Sequence, residues 1–238
     1  MAFGTDGRAT AARTVDRIAI DEGLRAYMLR VYNYMASGLA LTGIVAFGVA
    51  SSPALLKAIY GTPLLWVVMF SPLIVVFFLS ARVNRMSLGA VQATFWTFAV
   101  LMGLSLAYIF LIYTGASIAR VFFITAGTFG AMSLYGYTTK RDLTGWGSFL
   151  FMGLIGIIIA SIVNIFLASP AIYFAVSVIG VLIFVGLTAY DTQKIKEMYV
   201  EADSTAVAGK KAIMGALRLY LDFINLFLML LRLFGNRN

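Results

Sequence analysis

Residues 182–193, LIFVGLTAYDTQ, and residues 217–231, LRLYLDFINLFLMLL, each set one aspartate in a largely apolar run. These are Asp191 and Asp222. Such runs read as parts of membrane-crossing helices, which need about 20 mostly apolar residues. An ionisable group inside one costs ~2.5 kcal/mol or more near the helix centre. It persists where it faces a cavity, a partner charge or an ion path. Where these two carboxylates point therefore bears most directly on function.

The whole chain has the same character. Of its 238 residues, 61% are hydrophobic and 12% charged, half the charged share of about 25% usual in soluble domains. Mean hydropathy is +0.93. The chain is an integral membrane protein, with the lipid bilayer as its first partner. A net charge of +8 invites a nucleic-acid reading, but basic residues beside spans are topology signals, and no nucleic acid is expected. The sequence holds no cysteine and no histidine. That excludes zinc and haem sites of the usual kinds, thiol catalysis, disulfides and Ser-His-Asp triads. Proton chemistry or cation binding falls to ten acidic residues, the tyrosines, the amides and the backbone. No cofactor and no enzyme activity is expected.

Seven apolar segments are long enough to span: 29–51, 62–82, 88–113, 117–137, 147–168, 171–192 and 213–234. The fold class is thus an all-α integral membrane bundle, here a domain over 29–234. A polar tail over 1–28 lacks the apolar core and cleavage site of a secretory signal, and a short tail covers 235–238. Short connections at Ser169–Pro170 and Thr114–Ala116 imply antiparallel neighbours, while 193–212 reads as a polar loop with helical ends. Arg8, Arg13, Arg17, Arg25, Arg30, Arg82, Arg85, Lys140, Arg141, Lys194, Lys196, Lys210 and Lys211 fall on one side. Lys57, Arg120, Arg232 and Arg237 fall on the other, and Arg218 lies within span seven. The bias puts the N-terminus in the cytoplasm and the C-terminus outside. Small residues four apart, Gly103 with Ala107 and Gly156 with Ala160, suit close helix packing within the bundle or across a dimer face.

Asp191 ends span six, where it is either solvated at the headgroups or turned inward. Asp222 lies eleven residues beyond Lys211, ~16 Å along a helix, well inside the hydrocarbon. Arg218, four residues earlier on the same helix face, is a ready local ion-pair partner for it. Arg82 closes span two with Arg85 one turn later, either as snorkelling anchors or as a plug for the acidic pair. The carboxylates meet only if span six continues past the membrane surface or the helices tilt. Two carboxylates sharing a poorly solvated site cannot easily both ionise, and they titrate as a coupled pair. Calcium takes six to eight oxygens. Asp191, Asp222, Asn225, carbonyls and waters would make a weak, passable site, with Tyr190 as additional polar lining.

The segments AlaTyrAspThrGlnLysIleLys at 189–196, LeuTyrLeuAspPheIleAsnLeuPhe at 219–227 and TyrGlyTyrThrThrLysArgAspLeu at 135–143 resemble the Bax inhibitor-1, or transmembrane Bax inhibitor motif, family in its bacterial branch. The likeness runs from about residue 25 through all seven spans and implies a bacterial inner (plasma) membrane. It implies a bundle whose seventh span is central, and a pH-sensitive calcium leak with a di-aspartyl proton sensor at Asp191 and Asp222. It also implies an arginine latch from span two that best matches Arg82, with Arg85 as the second choice. Two features depart from the family pattern: span two holds no acidic residue, and Arg218 adds a positive charge beside Asp222.

Three other readings compete. An intramembrane aspartyl protease needs GlyXaaGlyAsp in span seven, where this chain has LeuTyrLeuAsp, and a later ProAlaLeu that it lacks. A membrane-embedded interaction protein, acting on a membrane protease or other membrane proteins, is the main alternative. A retinal photoreceptor needs a lysine in span seven, and there is none.

Overall fold

A computed structural model describes residues 6–238, with side chains from residue 21. Arg8, Arg13 and Arg17 of the expected N-terminal tail thus lie outside the described side chains. The elements are α1 (Asp6–Ala50), α2 (Pro53–Tyr60), α3 (Leu64–Arg82), α4 (Leu88–Leu106), α5 (Ile109–Ile112), α6 (Gly115–Thr138), α7 (Thr144–Leu167), α8 (Pro170–Glu197) and α9 (Thr205–Phe234). Seven stretches have the length and hydropathy of membrane spans, with α4 and α5 together forming the third. The molecule is a seven-span helical membrane bundle.

Helix starts follow capping chemistry. The first turn of a helix leaves backbone N–H groups without partners, and a Ser or Thr hydroxyl can accept from one of them. Ser52, Ser87, Thr114, Ser169 and Ser204 do so for α2, α4, α6, α8 and α9. Pro53 and Pro170 follow two of these caps, where a missing N–H is harmless. The tight α7–α8 turn passes through Ala168 at φ 48, ψ 32. In the same turn Asn164 Oδ1 accepts from Ser169 N at 2.9 Å.

One element differs from the sequence expectation. Residues 88–113 read as one continuous span, yet the helix breaks after Leu106. The Tyr60 hydroxyl, carried by α2, donates to Leu104 O at 2.5 Å and accepts from Tyr108 N at 3.2 Å. It sits between the two groups that would otherwise bond each other in an unbroken helix, a recognised cause of helix breaks. The 193–212 segment is a loop with helical ends, as its polar sequence implies. α8 runs on to Glu197, and α9 starts at Thr205.

The seventh span is the shaft of the bundle. Over its most apolar stretch α9 is 72% buried, against 17% for α3 and 11% for α7. α9 packs on α8, α1, α6 and α4, whereas α3 leans on α4 and α7 on α8. Six helices do not therefore enclose it equally: four hold it, and α3 and α7 stand outside them. The α8–α9 seam is antiparallel and tight. An added Cβ at Gly180 would lie 2.9 Å from Met229 Sδ, and one at Gly215 would lie 2.9 Å from Ile195 Cγ2. Gly103 serves packing within the bundle, since a Cβ there would meet Val45 and Thr42 O of α1, whereas Gly156 meets nothing within 4 Å. Fully buried Tyr220 packs edge-on against Phe98, and its hydroxyl lies 2.7 Å from Thr42 Oγ1. Thr42 spends its own hydrogen on Ala99 O at 2.8 Å, so Tyr220 is the donor of that pair.

Both ends of α9 are tied. Lys211 Nζ reaches Asp203 Oδ2 at 2.6 Å and Met198 O at 3.0 Å. Beyond Phe234 the tail turns back onto the start of α6. Asn236 N donates to Ser117 Oγ at 2.9 Å, Thr114 N donates to Asn236 O at 3.1 Å, and Asn238 N donates to Ile112 O at 2.9 Å.

Candidate functional site

Asp191 and Asp222 meet. Their carboxyl groups come within side-chain hydrogen-bonding reach across the α8–α9 seam, at 8% and 5% exposure. The continuation of α8 to Glu197 makes this possible, because it carries Asp191 back from the helix end to the level of Asp222. Contact between two carboxyl groups is attractive only with a proton between them; fully ionised, they repel. Asp222 Oδ2 is buried and has no hydrogen-bond partner among the described residues. A buried polar atom left unpaired is costly, which marks this oxygen as poised for a proton or a cation.

The arginine at the pair is Arg218. Its Nη1 lies 3.5 Å from Asp191 Oδ1, with the Arg218 side chain 52% exposed. This corrects two expectations. Arg218 pairs across the seam with Asp191, not along its own helix with Asp222. Arg82 and Arg85 are both exposed, and no ion pair among the described residues involves either. Arg82 instead stands 5.9 Å over the Phe78 ring. The reason is topological: α3 packs on α4, not on α9.

The rest of the motif after Asp191 is scaffold. Thr192 Oγ1 lies 2.9 Å from Ser133 Oγ, itself 2.6 Å from Tyr32 Oη. Gln193 accepts from Leu143 N at 2.9 Å and donates to Arg141 O at 2.8 Å. Lys194 Nζ donates to Thr144 Oγ1 and Lys196 Nζ to Tyr137 O, each at 2.8 Å. Every polar side chain from 192 to 196 thus ties α8 to α1, α6 or the start of α7, fixing the depth and rotation of Asp191.

A cavity of about 1120 Å³ opens beside the pair, between α7, α8 and α9. Arg218, Asp222, Asn225, Met229 and Arg232 line it from α9. Their alternating spacing of four and three puts them on one helix face. Asn225 is at the wall, its Nδ2 donating to Leu221 O at 2.8 Å, which leaves its side-chain oxygen for the cavity. Tyr190 lines the cavity too, with its ring packed against Gly147 so closely that a Cβ there would clash. Arg232 is the cavity residue that the sequence reading had assigned only to topology. Its spacing from Arg218, Asp222 and Asn225 was the signal. No cluster of three or more acidic side chains gathers among the described residues, so a cation here would rely on two carboxylates, an amide and water.

A polytopic membrane protein with seven spans, a buried central helix and a contacting acid pair is the class these features define. The chain belongs to the Bax inhibitor-1 family: the family described as "Inhibitor of apoptosis-promoting Bax1" matches residues 24–238. Inner membrane protein YbhL of Escherichia coli is 52% identical over 218 residues, covering 90% of this chain and 93% of YbhL. An uncharacterized protein of Rickettsia prowazekii is 52% identical over 232 residues, 98% of each chain. An uncharacterized membrane protein of Streptococcus pyogenes is 34% identical over 220 residues, 92% of this chain and 96% of its own.

Proposed function

We propose that this protein is a passive, pH-sensitive leak for cations, with calcium preferred. Asp191 and Asp222 act as its proton sensor and weak cation site, and Arg218 is the charge that competes with the cation. The observation that carries the reading is the contact of two buried carboxyls at the wall of a cavity, one of their oxygens having no protein donor. With a proton shared, the pair is closed on itself. When the proton leaves, two like charges sit together in a poorly solvated site, and either Arg218 or a cation must compensate them. Asn225 and water complete a loose oxygen shell for an ion that prefers six to eight ligands. A weak site suits passage, since an ion held tightly does not leave. By analogy with YbhL the membrane is the bacterial inner membrane, with the N-terminus on the cytoplasmic side by the charge bias.

The test is calcium flux into proteoliposomes on either side of pH 7, with Asp191→Asn and Asp222→Asn beside the wild type. Flux that changes with pH in the wild type and loses that dependence in both variants is the expected result. Purified wild-type protein that moves no calcium at any pH would refute it.

A further inference from the structure

The cavity extends well beyond the acid pair. Ten residues separate Asp222 from Arg232, ~15 Å along α9, about one leaflet of a ~30 Å hydrocarbon core. Over that distance its walls are largely apolar, with Ile158, Ile162 and Ile165 from α7 facing Val176 of α8 and Met229 of α9. α7 packs along α8 and barely meets α9, and α3 is turned to α4. The striped face of α9 therefore looks across an open gap at α7 instead of packing against it. The volume of about 1120 Å³ exceeds the ~300–1,000 Å³ usual for small-ligand pockets.

Charge distinguishes the two ends. Arg218 is neutralised by Asp191. Arg232, in the last turn of α9, has no carboxylate partner among the described residues. Its guanidinium lies 5.5 Å over the Tyr173 ring, and its Nη1 makes a long contact of 3.9 Å to Met229 Sδ. A cation in a last turn complements the helix dipole. That explains its place on α9 but not the apolar groove running inward from it.

We propose that this groove binds one acyl chain of an anionic phospholipid from the surrounding bilayer, with its phosphate on Arg232 and its tail lying toward Asn225 and the acid pair. The complementarity is threefold: an unneutralised guanidinium suited to phosphate, apolar walls, and a length matching one leaflet. The proposal does not rest on ion conduction and is read by binding alone.

Native mass spectrometry of the full chain in detergent tests it, with phosphatidylglycerol, phosphatidylcholine and inorganic phosphate added in separate arms. The expected result is retention of phosphatidylglycerol over phosphatidylcholine by roughly tenfold, the value of one charge-assisted contact. Arg232→Gln should lose that preference and Arg232→Lys keep part of it. Ile162→Trp, which fills the groove, should lose both lipids while melting no lower than the wild type. Equal retention of phosphatidylglycerol by wild type and Arg232→Gln overturns the proposal. So does full displacement of the lipid by inorganic phosphate, which would leave a headgroup site without a chain.

Discussion

At the scale of the residue, Arg218 is the departure with the clearest consequence. It stands 3.5 Å from Asp191 and is half exposed, so its ion pair contributes no more than ~1 kcal/mol to stability. Its effect on protonation is a separate matter. A neighbouring positive charge favours the ionised form of a carboxyl. Replacing Arg218 by Gln should therefore move any pH-dependent flux to higher pH while leaving the melting temperature within a few degrees. Arg82→Gln should move neither, because Arg82 stands over Phe78. Liposome flux scanned across pH, with thermal melting of the same samples, checks both. The aspartates were legible in the sequence because charge inside an apolar run is conspicuous. Their partner was not, because Arg218 is close in sequence to Asp222 yet pairs with Asp191. A helix face predicts neighbours on one element and is silent on what the next element brings.

At the scale of the element, glycines decide how near α8 can come. A Cβ at Gly136 on α6 would fall deep inside van der Waals contact of Ala189 O, a backbone atom that cannot turn aside, whereas one at Gly127 meets nothing within 4 Å. Gly136→Ala should destabilise the protein by ~1–3 kcal/mol or more through overpacking. It should also shift Asp191, two residues along α8. Gly127→Ala should be neutral or stabilising by up to ~1 kcal/mol from helix propensity. Denaturation in detergent separates the two. The start of α7 offers a pH test outside the spans. The Thr144 hydroxyl, and after it the Thr144 amide that donates to Asp142 Oδ1 at 2.8 Å, hold this carboxyl below the ordinary range. An acid so depressed contributes fully above its unfolded value of about 3.9 and loses that contribution as pH falls through its lower folded value. Trp146 emission, with Trp66 and Trp96 replaced by Phe, should change below that pH, and Asp142→Asn should flatten the response. Span positions followed from hydropathy. The break at Ala107–Tyr108 did not, because its cause, the Tyr60 hydroxyl, is 48 residues away.

At the scale of the whole molecule, the packing is graded. One helix is largely enclosed, four hold it, and α3 and α7 are the least buried. Composition and seven apolar runs made the bundle readable, and the family resemblance supplied the central seventh span. The bare α9 face was not readable, since it depends on which helices α3 and α7 choose to lean on. The C-terminal tail is equally tertiary: nothing in Gly235–Asn238 announces its three backbone bonds to the α5–α6 corner. Deleting residues 236–238 removes them, each worth about 1 kcal/mol. A fall of several degrees in melting temperature is expected, with backbone amide exchange accelerating first at Thr114, whose N–H loses its acceptor Asn236 O.

That tail and the Lys211 contacts moor the central shaft at both ends like a spindle in its bearings. A moored spindle neither slides nor revolves without first tearing loose from Asp203, Met198 or Ser117. The cavity alongside it is walled on its far side by α7, the least buried of the seven spans, so that outer stave can swing toward the lipid while the spindle stays moored.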